Sequence, residues 1–377
     1  MSEAEDRAEL IARLTLLAMP GLSASAVLRL LERHGSARVA VARLRAVDGI
    51  AGAARAELVR ERAEPVRERV ERAVAALNRH HIHVIAWSDP LYPEPVRLRL
   101  GEHAPPFLFA RGRLELLRSP AIAVVGCRRA SAYGLDMAEQ IGSGIARAGG
   151  CVVSGLARGI DAAAHAAALA AGGATIAVLG CGIDVHYPRE NRALQDRIAR
   201  DGLLLSELMP GEPPRRYQFP HRNRIIAALG RAVVVVEAGA RSGALTTGNH
   251  AASQGAQVYC VPNALHEPNL QGSLALLRDG ASVYTGLRDL LETTGLVQLG
   301  AAAPEEAFDE APPADRVHAC VWRALGSRAL HADSIAHAAG LPPTAALVAL
   351  LELELDGRVR QLAGQRFERR RPLRRSG

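Results

Sequence analysis

The segment from Ser154 to Asp161 reads SGLARGID and combines residue types that bind phosphate groups. It follows an apolar run, 151–153, that is typical of a buried strand. Its glycines, at 155 and 159, let the backbone turn tightly and leave N–H groups uncovered. Asp161 is a favourable N-cap, and the helix that we expect it to open presents its positive end to anions. With Arg158 in the same turn, these features predict a phosphate cradle.

Further glycine- and arginine-rich segments follow other apolar runs of the chain. Gly126 to Ser131 follow one run, and Glu237 to Thr247 follow another. A third segment, 219–224, reads FPHRNR and contains two arginines, an amide and an aromatic ring. Segments that follow parallel strands meet at one edge of the sheet, so we expect these arginines to converge. Since guanidinium groups bind phosphate bidentately, they predict a site for a phosphate chain, with Phe219 placed to stack on a base.

These segments do not match the standard nucleotide-binding fingerprints. The turn after the first strand lacks GxGxxG, the second strand ends at Ser154 rather than at an acidic residue, and the chain has no GKS or GKT. His165 has no evident nucleophile beside it, so we interpret it as a hydrogen-bonded structural histidine. Glu237 is the best candidate for catalysis, and its alternative role is a buried ion pair with Arg222 or Arg224. We predict no catalytic residue, no metal ligand and no cofactor.

The central part of the chain alternates apolar runs with helical stretches. We predict strands at 122–125, 151–153, 175–179, 203–205, 232–236 and 257–261. We predict helices between them at 134–148, 161–171, 191–200 and 246–255. Continuous apolar strands that alternate with helices are typical of a parallel sheet that is covered on both faces. The predicted fold class is therefore α/β, with a Rossmann-like, doubly wound parallel sheet.

Residues 1–80 precede this sheet and are predicted to form an N-terminal helical domain, with turns at 19–22 and 47–50. Two interpretations stay open. Paired turns fit a SAM-like, helix-hairpin-helix domain that grips a DNA backbone, whereas in a small helical bundle the same residues simply end helices. The central domain is predicted to span 81–297, beginning with a proline-containing connector at 81–120.

The C-terminal segment predicts a winged-helix domain behind a linker. Residues 298–315 carry only acidic charge and form the expected linker. The winged helix, 316–368, comprises predicted helices at 317–325, 332–339 and 343–355 and strands at 357–360 and 365–367, followed by a basic tail at 369–377. The third helix contains two glutamates and no arginine, so either duplex DNA or a protein remains as its partner.

The overall charge favours a polyanionic partner. The 377-residue chain has a formal net charge of +7, and its 46 basic residues are all arginine. The five cysteines are odd in number and contain no CxxC pair, which indicates reduced thiols in a cytoplasmic protein. We also expect no membrane span, because no apolar run approaches the length that crosses a bilayer.

Together the motifs resemble the DprA (DprA/Smf) family of bacterial DNA-processing proteins. The resemblance runs from 87 to about 281, and the helical N-terminus and the winged helix match the family's long form. The motifs that carry it are VGCR at 125–128, SGLARGID at 154–161 with AH at 164–165, YP at 187–188, SE at 206–207, FPHRNR at 219–224, and Glu237 with Ser242-Gly243. The resemblance implies a non-enzymatic, cytoplasmic homodimer that acts in competence, natural transformation and homologous recombination. Such a protein binds and protects incoming single-stranded DNA and loads RecA onto it past SSB.

By motif position, the resemblance also implies which residues bind DNA. They are Gly126, Arg128, Arg129, Ser154, Gly155, Arg158, Gly159, Phe219, Arg222, Asn223, Arg224, Arg241, Ser242 and Gly243. The chain departs from the family pattern at three positions. Cys127 stands where threonine or serine is common, Asn263 where glycine is usual, and Leu274 where asparagine is frequent.

A second hypothesis is a nucleotide-binding enzyme or sensor similar to the phosphoribohydrolases, which share a Rossmann-like fold. Those enzymes carry a PGGxGTxxE segment, and the corresponding EAGARSGA at 237–244 lacks the glycine pair and the trailing glutamate. Glu237 would then have to act alone, and fold analogy is the main support for this hypothesis.

Overall fold

A computed structural model of the chain describes residues 3–51, 66–265, 267–296, 313, 315–325, 330–356, 358–362 and 364–369. The chain divides into two compact units, Met1–Ala303 and Pro304–Gly377, which we describe separately. The predicted basic tail beyond 369, and the predicted linker apart from 313 and 315, lie outside the described residues.

The described residues at the start of the first unit form the helices α1 (Glu3–Ala18), α2 (Ala24–His34), α3 (Ala37–Ala51) and α4 (Val66–His80). The predicted turn at 19–22 separates α1 from α2, and Ser23 caps α2 by accepting a hydrogen bond from the amide of Ala26 at 3.2 Å. The predicted turn at 47–50 is wrong, because these residues continue α3 as helix. The paired turns of a helix-hairpin-helix domain are therefore absent from the described residues, which favours the small helical bundle.

A nine-stranded sheet follows these helices. Its strands are β1 (His83–Ala86), β2 (Phe107–Gly112), β3 (Ala121–Val125), β4 (Cys151–Ser154), β5 (Ala174–Val178), β6 (Leu203–Ser206), β7 (Ala232–Val235), β8 (Gln257–Cys260) and β9 (Ser282–Val283). The order is β1-β2-β6-β5-β4-β3-β7-β8-β9, in which β3 to β9 pair in parallel and β1 and β2 are antiparallel. All six predicted strands are confirmed, and the predicted connector supplies the two antiparallel strands at one edge.

The helices that accompany this sheet in the described part of the chain are α5 (Glu94–Leu100), α6 (Ala132–Arg147), α7 (Ile160–Ala170), α8 (Arg192–Asp201), α9 (Gln218–Leu229), α10 (Gly243–Ser253), α11 (Gln271–Arg278) and α12 (Leu287–Thr293). The four predicted helices of this part are confirmed as α6, α7, α8 and α10. Helix α9, which contains the FPHRNR segment, was not predicted. Its polar first half and apolar second half show no amphipathic period, and Pro220 is tolerated only because the first turn needs no amide donor there.

Both faces of the sheet are covered, as the apolar strands predict. Alternate residues of β3 face opposite sides: Ile122 and Val124 belong to the core beneath α6 and α7, whereas Ala123 and Val125 belong to the core beneath α9 and α10. The N-terminal helices share a core with the antiparallel edge, where Leu14 of α1 and Leu77 of α4 join the fully buried Phe109 of β2.

The strand order reverses at β3, which has β4 on one side and β7 on the other. In open parallel sheets, the carboxyl ends of the strands next to such a reversal leave a crevice in which ligands bind. Here the segments that follow β3, β4 and β7 are 126–131, 155–159 and 236–242. The topology therefore brings three of the predicted motifs to one edge.

The second unit contains α13 (Arg316–Ala324), α14 (Ala332–Ala339) and α15 (Pro343–Leu355), with a sheet ordered β10-β12-β11 from Leu330–His331, Val359–Leu362 and Arg366–Arg369. The predicted three helices and two strands are confirmed, and β10 is an addition. Its core includes Trp322, Leu350 and Phe367. Helix α15 exposes Val348, Leu351 and Leu355 along one side, an apolar face with no arginine.

No single helix among the described residues combines the length and apolar character that a bilayer crossing requires. The bent pair α14 and α15, whose axes differ by 108°, meets that test by length and composition only.

The buried ring of Phe109 generates a stability prediction. We expect Phe109→Ala to lower the free energy of unfolding of the first unit by about 3–5 kcal/mol, because the cavity left among helix and strand side chains cannot close fully. Chemical denaturation followed by circular dichroism measures this change. Leu98→Ala is the control, since this side chain is 73% exposed and should change stability by less than about 0.5 kcal/mol. Equal effects of the two substitutions would refute the shared core.

Candidate nucleic-acid interface

The phosphate cradle predicted at 154–161 is occupied by a side chain of the protein itself. Helix α7 begins at Ile160 with Gly159 as its N-cap residue, so Asp161 lies inside the first turn and not before it. Its Oδ2 accepts hydrogen bonds from the amides of Gly155 at 3.2 Å and Ala157 at 3.3 Å. A carboxylate that fills these donors would repel a phosphate. The expectation that Asp161 caps α7 and leaves an open anion site is therefore corrected.

Arg222 is buried beside this loop, although the sequence placed it among the DNA contacts. Its Nη1 donates hydrogen bonds to the carbonyls of Gly155, at 3.0 Å, and Val178, and its Nε donates to Asn223 Oδ1 at 3.2 Å. Burial lowers the pKa of Arg222 to about 10, and the nearby charge of Asp161 opposes this change. Burial also disfavours the charged form of Asp161 and therefore raises its pKa, although the charge of Arg222 and the loop amides counteract this change. The two opposite charges thus stabilise each other inside the fold.

Three further predicted contacts are also internal. Ser154 is fully buried and donates to the carbonyl of Val124 at 2.6 Å. Arg224 donates to Glu207 and lies against His221 at 3.0 Å. The remaining residue, Asn223, donates to the carbonyl of Gly243 at 3.0 Å. With side chains of Arg222, Asn223 and Arg224 all below 10% exposure, we correct the expectation that these residues touch phosphate directly.

Glu237 is held in place by four hydrogen bonds from three residues and forms no ion pair with Arg222 or Arg224, which corrects the predicted alternative role. Its carboxylate accepts hydrogen bonds from the amide and hydroxyl of Ser131, and Asn263 and Asn269 donate to it at 3.3 and 3.2 Å. The same carboxylate leaves no space at Gly134, where a Cβ atom would lie 2.5 Å from Glu237 Cδ. Glu237 therefore fixes the loop after β3 to the start of α6.

Two of the sequence departures serve this same carboxylate. Asn263, in place of the usual glycine, supplies one of its donors, and Cys127 donates from Sγ to Glu237 Oε2 at 3.5 Å. Burial and the charge of Glu237 raise the pKa of the Cys127 thiol to about 12, so the thiol stays protonated. No contact of Leu274 explains the third departure.

The exposed part of the edge is formed by Arg128 and its aromatic neighbours. The guanidinium carbon of Arg128 lies 5.7 Å from the centre of the Phe219 ring, within the range of a cation–π contact. Phe219 packs on Tyr187 with ring centroids 5.2 Å apart, and a Cβ atom at Gly180 would meet the Phe219 ring at 2.7 Å. Arg128 is exposed, and no carboxylate among the described residues pairs with it. Its charge is therefore available to a ligand.

The other predicted residues of the edge differ in availability. Arg129 and Arg241 are exposed and have no acidic partner in the described part of the chain, whereas Arg158 forms an ion pair with Glu190. Ser242 caps α10 by accepting from the amide of Ala244 at 3.3 Å, and Gly243 begins that helix.

Two glycines permit close packing of the loops at this edge. At Gly126 a Cβ atom would lie 2.5 Å from the side chain of Ile160. Gly159 has φ of +76°, and a Cβ atom there would lie 2.5 Å from the carbonyl oxygen of Cys127. The glycines therefore hold the loops after β3 and β4 together, and need not themselves touch a ligand.

The sequence prediction omitted two exposed arginines. Arg189 comes two residues after Tyr187, and Arg216 comes three residues before Phe219, so both flank the aromatic pair. Neither has an acidic partner among the described residues. Their positions next to the YP and FPHRNR motifs are the signal by which the sequence could have identified them.

His165 is the structural histidine that the sequence predicted. Thr175 Oγ1 donates to the carbonyl of Val152 at 2.9 Å, so it accepts from His165 Nδ1 at 2.6 Å. Burial, assisted by the charge of Arg222, lowers the pKa of His165 to about 3. All five cysteines are free, as predicted, and no three potential ligands cluster for a metal within the described ranges.

A first prediction from this geometry separates bracing from binding. Arg222→Met should lower the free energy of unfolding by about 3–5 kcal/mol, because it leaves two carbonyls without donors and Asp161 without a counter-charge. Thermal unfolding measures the loss, and Arg222→Lys, which retains the charge, should recover part of it. An Arg222→Met protein with unchanged thermal stability would contradict the role of Arg222 in holding α9 against the loop after β4.

A second prediction concerns acid stability. His165 has a pKa of about 3 when folded and about 6.5 when unfolded, so protonation favours the unfolded chain. The part of the free energy of unfolding that depends on neutral His165 is intact above pH 6.5 and is lost as the pH falls from 6.5 towards 3. The loss amounts to about 2 kcal/mol at pH 5. Denaturation at pH 7 and pH 5 should show a smaller loss for His165→Gln than for the natural protein. Equal losses would refute the assignment.

Comparisons with known proteins agree with this architecture. A family model described as DNA recombination-mediator protein A matches residues 83–295, and a second, the DprA winged helix domain, matches residues 303–365. DNA processing protein DprA of Streptococcus pneumoniae is 47% identical over 188 residues, which cover 50% of this chain and 66% of that protein, just under two thirds of its length.

Solved structures of two relatives resemble the fold. The X-ray structure of DprA from Streptococcus pneumoniae matches with a TM-score of 0.59 and 35% identity, covering 78% of this chain and 98% of that one. A structure of DNA processing protein A from Helicobacter pylori, which reports its single-stranded DNA binding mode, matches with a TM-score of 0.51 and 27% identity, covering 57% and 96%. Since the first family model spans more than half of the sequence, this chain belongs to the DprA family of DNA recombination mediators.

Proposed function

We propose that this protein binds single-stranded DNA across the carboxyl edge of its parallel sheet and delivers it to a recombinase. The observation that carries the proposal is the exposed guanidinium of Arg128, which has no carboxylate partner among the described residues and lies over the Phe219 ring, 5.7 Å from its centre. A cation beside an aromatic face offers one contact to a phosphate and one to a base. This combination is typical of single-strand binding without sequence preference.

The geometry favours a single strand over a duplex. In a duplex the base faces are already stacked on each other, so an aromatic side chain gains stacking energy only from unpaired bases. The Phe219–Tyr187 pair lies at an edge that also carries the exposed Arg129, Arg189 and Arg241. By contrast, α15 of the winged helix carries no arginine and exposes an apolar face, which is unsuited to a duplex backbone.

Family membership supports a proposal for the cellular role. The matched family is one of recombination mediators, and the Helicobacter pylori relative is described as binding single-stranded DNA. We infer that this protein acts as a homodimer in the cytoplasm during natural transformation, where it protects incoming strands. We further infer that it loads RecA onto strands that SSB covers, without a catalytic step of its own.

A nucleotide-hydrolysing enzyme is the alternative, and the environment of Glu237 weighs against it. Glu237, which follows β7, is the carboxylate that such an enzyme would have to use. It already accepts hydrogen bonds from Ser131, Asn263 and Asn269. Release of a free base from any nucleoside monophosphate by the purified protein would revive this alternative.

The DNA contact of Arg128 can be measured with one matched pair of variants. Arg128→Ala should weaken binding of a labelled oligo-dT of about 20 nucleotides about tenfold. It should also reduce the slope of the log binding constant against the log salt concentration by about one, because one phosphate contact is lost. Arg118→Ala is the control, since this exposed arginine precedes β3 and lies at the opposite edge of the sheet. Fluorescence anisotropy over a salt series gives both quantities, and a matching duplex tests the preference for single strands. Equal behaviour of the two variants would remove Arg128 from the interface.

The mediator role needs a functional assay. RecA should assemble on SSB-coated single strands faster when the protein is present, and Arg128→Ala should reduce this acceleration in proportion to its loss of affinity. Light scattering of the purified protein reports the expected dimer. Tight strand binding without any acceleration of RecA assembly would limit the function to protection of DNA.

A further inference from the structure

A cavity of about 480 Å³ opens between the N-terminal helices and the sheet, beside the proposed interface. It is lined by Leu17 of α1, Arg69 of α4, the loop after β6 and the first turn of α9. Its volume lies within the range of about 300–1,000 Å³ that is typical of small-ligand sites. None of the motifs that resemble the family includes Leu17 or Arg69.

The walls of this cavity combine an apolar floor with an aromatic rim. Leu17, Leu208 and Met209 supply the apolar surface, and Tyr217 stands at the rim with 66% of its surface exposed. Exposed tyrosine beside an apolar cavity presents a flat ring on which another planar group can stack.

The charges in the walls are already neutralised. Glu212 pairs with Arg69 at 3.8 Å, and Glu207 pairs with the buried Arg224. Because the lining arginine, Arg69, is already paired, the walls offer no free cation to a phosphate. The paired acids and bases instead offer donors and acceptors to a neutral ligand. His221 lines the same cavity, and burial lowers its pKa, which favours the neutral imidazole. An uncharged planar heteroaromatic ring with polar edges fits these walls.

The cavity and the Arg128–Phe219 contact share the N-terminal end of α9. Tyr217 is the N-cap residue of α9, and Phe219 lies in the first turn of the same helix. No side chain caps this helix end, and Arg216 is exposed next to it, whereas Arg215 pairs with Glu212 at 3.6 Å. A strand whose base stacks on Phe219 therefore has only to pass around the positive end of α9 to bring another base to Tyr217.

We propose that this cavity binds a nucleobase of the same single strand, stacked on Tyr217, so that the N-terminal helices form part of the DNA-binding surface. The inference rests on the proposed function and deepens it by adding a base site beyond the Arg128–Phe219 contact. The salt dependence of binding distinguishes the two kinds of site, because binding of a stacked base changes little with salt concentration and binding of a phosphate weakens as salt rises.

The test uses the full chain and the labelled 20-residue strand. Tyr217→Ala should weaken binding about tenfold while leaving the salt slope unchanged, because a stacked base and no phosphate contact is lost. Tyr217→Phe keeps the ring and should bind like the natural protein. Thermal unfolding of each variant confirms that the fold is retained, which the high exposure of Tyr217 leads us to expect.

A second measurement locates the base directly. A strand that carries 2-aminopurine at successive positions should show one position whose fluorescence changes on binding and loses that change in Tyr217→Ala. Binding that depends on Arg128 but shows neither effect at Tyr217 would overturn this inference alone. Absence of strand binding at low salt would overturn the proposed function with it. Saturable, Tyr217-dependent binding of free adenosine or thymidine at micromolar concentration would replace the strand base by a free nucleoside and overturn the inference.

Discussion

The buried guanidinium of Arg222 is the interaction on which the rest of the site depends. It joins α9 to the carboxyl ends of β4 and β5 by donating to the carbonyls of Gly155 and Val178. Asp161 supplies the opposite charge and also ties down the amides of the loop after β4. A buried charge without such partners would cost several kcal/mol, so this arrangement holds together only as a unit. It therefore fixes where α9, and with it Phe219, can lie.

The arginines of the edge consequently divide into two kinds. Arg222 and Arg224 are buried and donate to internal carbonyl and carboxylate partners, so they hold the surface in position from within. Arg128, Arg129 and Arg241 project from glycine-containing turns and keep their charge exposed. Two buried carboxylates fix the loops in a similar way. Asp161 accepts from the amides of the loop after β4, and Glu237 accepts from donors of the loops after β3 and β8. Rigid loops held from within present free cations without paying further ordering entropy on binding.

The N-terminal helices are integrated with this scaffold. Leu14 and Leu77 share a core with Phe109 at the antiparallel edge, so α1 and α4 are held firmly against the sheet. The same packing brings Leu17 and Arg69 to the cavity beside Tyr217. Helices that lie far away in sequence thereby become neighbours of the proposed strand path. In the second unit, the helix that winged-helix proteins use for DNA instead exposes an apolar face.

The sequence by itself determined the α/β class, the positions of six parallel strands, the winged helix and the structural role of His165. Continuous β-branched runs and alanine-rich helical stretches are local properties, so they can be recognised without long-range contacts. Motif order was equally sufficient to indicate the family.

Only the tertiary structure decided which polar residues are free. The FPHRNR segment reads as a row of ligands, yet the helix that it forms turns Arg222, Asn223 and Arg224 inward and Phe219 towards Arg128. Whether a charge is paired depends on partners that are tens of residues away, such as Gly155 and Val178 for Arg222, and no local pattern encodes that choice.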